Sequence, residues 1–135
     1  MSGGTLGKVR VLLADDNEAI LARVRTVLGD DFDVIGAVNN GRDAIAEVRR
    51  LDPDVLLMDL RMPILDGLRA AAQMRSGLRT KIVFLSAHED QDFVDAAFAV
   101  GACGYIAKSD VTSDLVPAIL EVLQGHTFVS KSIAR

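Results

Sequence analysis

The sequence predicts an α/β domain: a parallel sheet of five strands, doubly wound, with five helices covering both faces. Two observations carry this. Strand-like apolar runs alternate strictly with amphipathic helical stretches, five times over, and each right-handed crossover between parallel strands lays a helix on the sheet. The runs are apolar throughout instead of alternating with polar residues, as strands buried on both faces require. The most sharply bounded run, Val55-Leu56-Leu57-Met58, stops at the carboxylate of Asp59 and passes into a loop carrying Pro63 and Gly67.

Taken in order, the first strand covers residues 9–14 and ends at Asp15-Asp16-Asn17. Ile20, Leu21, Val24, Val27 and Leu28 then recur at helical spacing, with Gly29 as the stop. Residues 32–38 form the second strand, closed by the turn signal Asn39-Asn40-Gly41. A second helix spans 43–51 and ends at Asp52-Pro53, because the residue before a proline disfavours the helical region. After the central strand a third helix runs over 65–75, closed by Gly77. The fourth strand is 81–85, ending at Ser86; the fourth helix is 91–100, with Phe93, Ala96, Ala97 and Val100 turned inward. Gly101 and Gly104 bracket a very short fifth strand, 105–107, which ends at Lys108. The last helix carries Leu115, Ile119, Val122 and Leu123, and stays unbroken only if Pro117 lies in its first turn. Residues 1–7 read as a flexible leader, 8–125 as the domain and 126–135 as a linker or tail.

Composition narrows the function. Half of the 135 residues are apolar, enough for one domain with a real core. A formal charge of -4 argues against direct nucleic-acid binding, which needs a basic face. No apolar run approaches a membrane span, and no signal-peptide core is present. The single cysteine, Cys103, cannot form an internal disulfide and is expected to pack as a small apolar residue in a reducing cytoplasm.

The polar residues fall into a pattern. Asp15 and Asp16 end the first strand, Asp59 the third, Ser86 the fourth and Lys108 the fifth, so all lie on the edge of the sheet where such folds bind ligands. Asp15-Asp16 could instead cap a helix, Lys108 could be a solvated loop lysine, and Ser86 could cap the fourth helix. Their common register argues otherwise. Three neighbouring carboxylates repel, and the pKa of at least one rises unless a cation joins them. Hard oxygen donors suit Mg²⁺ or Mn²⁺. A divalent cation, the ammonium of Lys108 and the hydroxyl of Ser86 around one carboxylate make a cradle for a phosphoryl group.

These residues, with Met62-Pro63, Asp66-Gly67, Ser86-Ala87 and Tyr105 three positions before Lys108, resemble the receiver domain of two-component response regulators. The likeness runs over residues 9–124. It implies a flavodoxin-like sheet of order 2-1-3-4-5. It also implies that Asp59 is the phosphoacceptor, taking its phosphoryl group from a phosphohistidine on a sensor histidine kinase. Asp16 and Asp59 would bind Mg²⁺ with the backbone carbonyl of Arg61, and Asp15 would act mainly through water. Lys108 would pair with Asp59, then with the phosphoryl oxygens. Ser86 would hydrogen-bond the phosphoryl group, and Tyr105 would follow it inward, altering the face made by the fourth helix, fifth strand and fifth helix. Such a chain is a switch that catalyses only its own phosphorylation and dephosphorylation, not an enzyme acting on other molecules.

Two positions depart from the pattern or modulate it. Ser109 follows Lys108 where the family often has proline, so a cis peptide there is less assured. Arg61 and His88 each lie two residues beyond a key position, bordering the route by which water would reach the acyl phosphate. His88 otherwise reads as an exposed loop residue. Arg61 also argues against haloacid-dehalogenase-like phosphohydrolases, which need an Asp at that position, and Asp15-Asp16 would repel the phosphate of a flavodoxin-like binder. A degenerate receiver serving only as a scaffold is the remaining rival.

Val116, Leu120 and Leu123 exceed what a core stripe on the last helix needs, which raises a homodimer or partner surface on this helix or on the neighbouring switch face. Gly125-His126-Thr127-Phe128-Val129-Ser130 with Ile133-Ala134 resembles the end of receivers of the NarL/FixJ type, which lead into a LuxR-like helix-turn-helix. The expectation is therefore the receiver of a transcriptional regulator, cut at its linker.

Overall fold

The computed structural model of the chain describes residues 7–74 and 78–133. Its strands are β1 (Val9–Ala14), β2 (Phe32–Val38), β3 (Val55–Asp59), β4 (Lys81–Ser86), β5 (Gly104–Ala107) and β6 (Phe128–Val129). Its helices are α1 (Glu18–Leu28), α2 (Gly41–Leu51), α3 (Gly67–Met74), α4 (Gln91–Ala99) and α5 (Val111–Leu123). All strand pairs are parallel, in the order β2-β1-β3-β4-β5-β6. The order reverses between β1 and β3, which opens a crevice at their carboxyl ends. No helix of the described residues is long and apolar enough to cross a membrane.

Successive residues of a strand point to opposite faces, so the sheet divides the core in two. Leu12, Leu56, Met58, Ile82, Phe84 and Tyr105 pack under α2, α3 and α4. Val11, Leu13, Leu57, Val83, Leu85 and Ile106 pack under α1 and α5. Cys103 is half-buried against this second layer.

The ends of the helices follow local chemistry. The Asn17 side chain caps α1, accepting from the N–H groups of Ala19 (2.9 Å) and Ile20 (3.2 Å), and Gly29 leaves the helix at φ 60°. Asn40 caps α2 by accepting from Asp43 N–H at 2.9 Å. That helix ends with Asp52 in the left-handed region (φ 46°, ψ 58°), a sharper exit than a merely extended residue before Pro53.

Several expectations are corrected. The sheet has six strands, not five: Phe128–Val129 adds to β5, with Phe128 N–H donating to Cys103 O at 3.1 Å and Ser130 N–H to Tyr105 O at 3.0 Å. The third helix starts at Gly67, not residue 65, because Asp66 accepts from Arg69 N–H at 2.9 Å and so caps it. Pro117 is the seventh residue of α5, not in its first turn. It lies on the solvent side with Ser113, whose carbonyl it cannot bond, while Val111, Leu115, Ala118, Ile119 and Val122 hold the helix to the core. In α4 the buried residues are Val94 and Ala97, with Phe93, Ala96 and Val100 only half-buried. No cis peptide occurs among the described residues. The expected leader, apart from Gly7, and the expected third-helix end at Arg75 and Gly77 lie outside them.

The two ends of the sheet are built differently. At the amino end, Arg79 bridges Asp52 (3.2 Å) and Asp54 (3.1 Å) and donates to Asp52 O at 2.8 Å. Arg10 donates its backbone N–H to Asp54 Oδ2 at 2.8 Å, and buried Thr80 Oγ1 donates to Pro53 O at 2.7 Å. These bonds tie the starts of β1, β3 and β4 together. At the carboxyl end, the loop after β3 is closed by Gly67 N–H donating to Leu60 O at 2.7 Å. A Cβ on Gly67 would collide with the carbonyl oxygen of Asp59. Gly67→Ala is therefore expected to cost about 2 kcal/mol or more, as overpacking against fixed backbone does. Urea unfolding followed by circular dichroism checks this, and a midpoint equal to the parent's would show that the loop can yield.

Candidate functional site

The crevice gathers side chains from the ends of β1, β3 and β5. Asp15 is held by the end of β2, its N–H donating to Val38 O at 3.0 Å. Its Oδ1 accepts from Asn17 N–H at 2.9 Å. Because Asn17 caps α1, neither Asp15 nor Asp16 is consumed as a helix cap. Asp15 is 2% and Asp59 8% exposed, whereas Asp16 is open to solvent. One carboxylate oxygen from each of Asp15, Asp16 and Asp59 lies within 4.8 Å of the other two.

Lys108 enters from β5 and shares its ammonium between two of them, with Nζ 3.0 Å from Asp15 Oδ2 and 3.2 Å from Asp59 Oδ2. Pairing with Asp59 was expected; equal attachment to Asp15 is a finding, and rests on side-chain placement that spacing does not encode. The Asp15 contact is ionic without being aligned as a hydrogen bond. Asp15 Oδ2 is consequently the buried side-chain oxygen, among the described residues, left without a directed donor. Asp59 Oδ1 receives only a long bond, 3.4 Å, from Arg61 N–H.

One ammonium cannot neutralise three carboxylates. Burial pushes the Asp59 carboxyl above its usual range, the charge of Asp15 adds to this, and Lys108 and the Arg61 N–H oppose it without prevailing. Burial disfavours the Lys108 ammonium too, but its pairing with Asp15 and Asp59 outweighs that and holds its pKa up. A cluster of hard oxygens carrying excess negative charge, one of them lacking a donor, fits a divalent cation bound by Asp15, Asp16 and Asp59.

Ser86 and Tyr105 form a neighbouring unit organised by His88. The fully buried Ser86 Oγ accepts from His88 N–H at 2.9 Å, and the Tyr105 hydroxyl donates to His88 O at 2.6 Å. Tyr105 is itself fully buried, which lifts its hydroxyl pKa. His88 is half-buried, not exposed: its ring stacks on Phe93 at 4.5 Å between centroids. Arg61 turns its guanidinium to the same ring, 5.8 Å from the centroid, and not toward the carboxylates. The sequence pointed to Arg61 and His88 but not to Phe93, whose role depends on how α4 is rotated.

The loop between Asp59 and α3 carries an unforeseen feature. Leu65 N–H donates to Pro63 O at 2.7 Å across Ile64, which sits at φ 71° and is 68% exposed. This is a γ-turn of the left-handed kind, a strained conformation for a β-branched residue.

Since the native fold raises the Asp59 pKa, the stability this group contributes is full below the ordinary carboxylate pKa and is lost as pH rises through the raised value. Asp59→Asn, in the absence of divalent cations, is thus expected to raise the thermal midpoint at pH 7 by a few degrees, as about 1 kcal/mol does for a domain of this size. The gain should vanish near or below about pH 4, where the carboxyl is protonated in both states. Calorimetry across that range checks it; a lower midpoint at pH 7 would mean that Lys108 dominates.

Comparison with known proteins yields one consistent answer. The family model described as response regulator receiver domain matches residues 11–120. A curated relative from Bacillus subtilis (strain 168), the uncharacterized transcriptional regulatory protein YxjL, is 36% identical over 122 residues, 88% of this chain and 56% of its own length. The crystal structure of a LuxR-family two-component response regulator from Aurantimonas sp. SI85-9A1 superposes with a TM-score of 0.88 at 28% identity, covering 94% of this chain and 93% of that one. The signal receiver domain of the putative response regulator NarL from Mycobacterium tuberculosis gives 0.83 at 34% identity, covering 88% and 98%. The chain spans roughly three fifths of the length of the curated relatives it matches, 61% and 60% for two of them.

Proposed function

This chain belongs to the receiver-domain family of two-component response regulators, and we propose that Asp59 is its phosphoacceptor, loaded from a phosphohistidine of a sensor histidine kinase. The observation that carries this reading is the single ammonium of Lys108 shared by two buried carboxylates, 3.0 Å and 3.2 Å away, with Asp16 beside them. In the reaction a carboxylate oxygen of Asp59 attacks phosphorus, the bond from phosphorus to the imidazole nitrogen breaks, and the nitrogen keeps the electron pair. Lys108, already at the edge of the Asp59 carboxylate, moves its charge to the incoming phosphoryl oxygens while remaining tied to Asp15. The hydroxyl of Ser86 supplies a further donor. Asp16 and Asp59, with the Arg61 carbonyl, would hold Mg²⁺, and Asp15 would reach it mainly through water; the ion would supply the positive charge that an anionic carboxylate needs to approach an anionic phosphoryl group.

Once loaded, the site draws on Ser86, and through the backbone of His88 on Tyr105, changing the surface of α4, β5 and α5. We take residues 8–125, with the following segment through Ile133 that packs against β5, as the body of a cytoplasmic switch that modifies only itself. Transcription would be controlled through a helix-turn-helix domain, which would account for the additional length of the relatives. Leu120 and Leu123, 48% and 37% exposed on α5, favour a homodimer contact there.

Incubation with acetyl phosphate and Mg²⁺ is expected to add one phosphoryl group by mass spectrometry, and Asp59→Ala to add none. Modification of the Ala variant at the parent's rate would overturn the assignment and leave the fold as a scaffold. Lys108→Ala should slow loading by roughly 10²-fold, the loss typical of one preorganised charge partner. Sedimentation with and without beryllofluoride tests the dimer: a monomer in both conditions excludes it.

A further inference from the structure

The segment after α5 is attached to the residues that present Lys108. Ser130 is fully buried; its Oγ accepts from the Ala107 N–H at 3.1 Å, and its own N–H donates to Tyr105 O at 3.0 Å. Ala107 is the residue immediately before Lys108, and across the sheet it pairs with Ser86. On the far side of Lys108, the Ser132 hydroxyl donates to Asp110 Oδ2 at 2.6 Å. Ile133, 4% exposed, then plugs into the core layer that contains Tyr105, Val94 and Ala97, its N–H donating to Ser130 O at 3.0 Å. Lys108 to Asp110 form one turn of 3-10 helix, so this short piece of chain is clasped before and after the lysine by two serines of the same strap.

We propose that Ser130 and Ser132 are positioning residues for Lys108, and that seating of the strap (residues 128–133) and loading of Asp59 favour one another. The physical basis is linkage. A phosphoryl group that engages Lys108 and Ser86 fixes the backbone on both sides of Ala107, which is the backbone that Ser130 binds. A seated strap, in turn, removes freedom that Lys108 would otherwise lose on engaging the phosphoryl group. The coupling must be the same in both directions. The strap thereby becomes the exit for the signal as well as a support for the site. This inference rests on Asp59 being the phosphoacceptor.

The test uses the whole chain with Mg²⁺ and beryllofluoride, a phosphoryl mimic. Amide exchange at Ala107, Phe128 and Ser130 is followed by NMR with and without the mimic, and binding of the mimic is titrated by fluorine NMR. Protection at the three amides is expected to rise roughly fivefold or more on binding, and Ser130→Ala to weaken binding by up to the same factor. Val34→Ala, on the opposite edge strand, serves as a control for general destabilisation and is expected to bind as the parent does. If Ser130→Ala does not fold, the exposed Ser132→Ala takes its place with a smaller effect of the same sign. Failure of the parent to bind the mimic removes the phosphoacceptor reading and the coupling with it. Normal binding with unchanged or reduced protection at the strap, or with the serine variants binding as the parent does, overturns the strap proposal alone.

Discussion

The bond on which the rest depends is the ammonium of Lys108 divided between Asp15 and Asp59, 3.0 Å and 3.2 Å distant. It joins the carboxyl ends of β1, β3 and β5, the last of which is a neighbour of neither of the others in the sheet. Burying two carboxylates with one cation is costly, and the raised pKa of Asp59 records the imbalance. A fold selected only for stability would place an apolar residue there. The residual negative charge is concentrated in the crevice, where the proposed cation and phosphoryl group would use it.

Around this centre, the connections run through backbone more than side chains. His88 illustrates the point, since its N–H reaches Ser86 and its carbonyl reaches Tyr105, while its ring leans on Phe93 of α4. A single residue therefore connects Ser86 to Tyr105 of β5 and to α4. Arg61, over the same Phe93 ring, ties the loop after β3 to this group. The exposed γ-turn at Ile64 stores backbone strain in the same loop that follows Asp59.

Much of this was legible from the chain alone. β1 and β2 were bounded correctly because Val9–Ala14 and Phe32–Val38 are β-rich runs ended by Asp15-Asp16 and Asn39-Asn40. Asp15, Asp16 and Asp59 could be grouped because parallel strands put successive carboxyl ends on one edge. What was not legible depended on tertiary placement. The rotation of α4 that buries Val94 and half-exposes Phe93 is ambiguous in a helix whose apolar residues occupy much of its circumference. β6 is two residues long and flanked by polar ones, below the length at which periodicity is informative. Pro117 was placed by a general rule about helices, whereas exposure of its side of α5 to water removes most of the penalty.

The lattice of Arg79, Asp52, Asp54 and Thr80 at the amino end has a mechanical consequence. It anchors β1, β3 and β4 at their base, so none of these three can slide past its neighbour without breaking such bonds. The opposite rim has no such lattice in the contacts of the described residues, so displacement of these strands is easiest there. The stiff end of the sheet is thus the one away from the crevice, and the compliant end is the one that carries Asp15, Asp59 and Lys108.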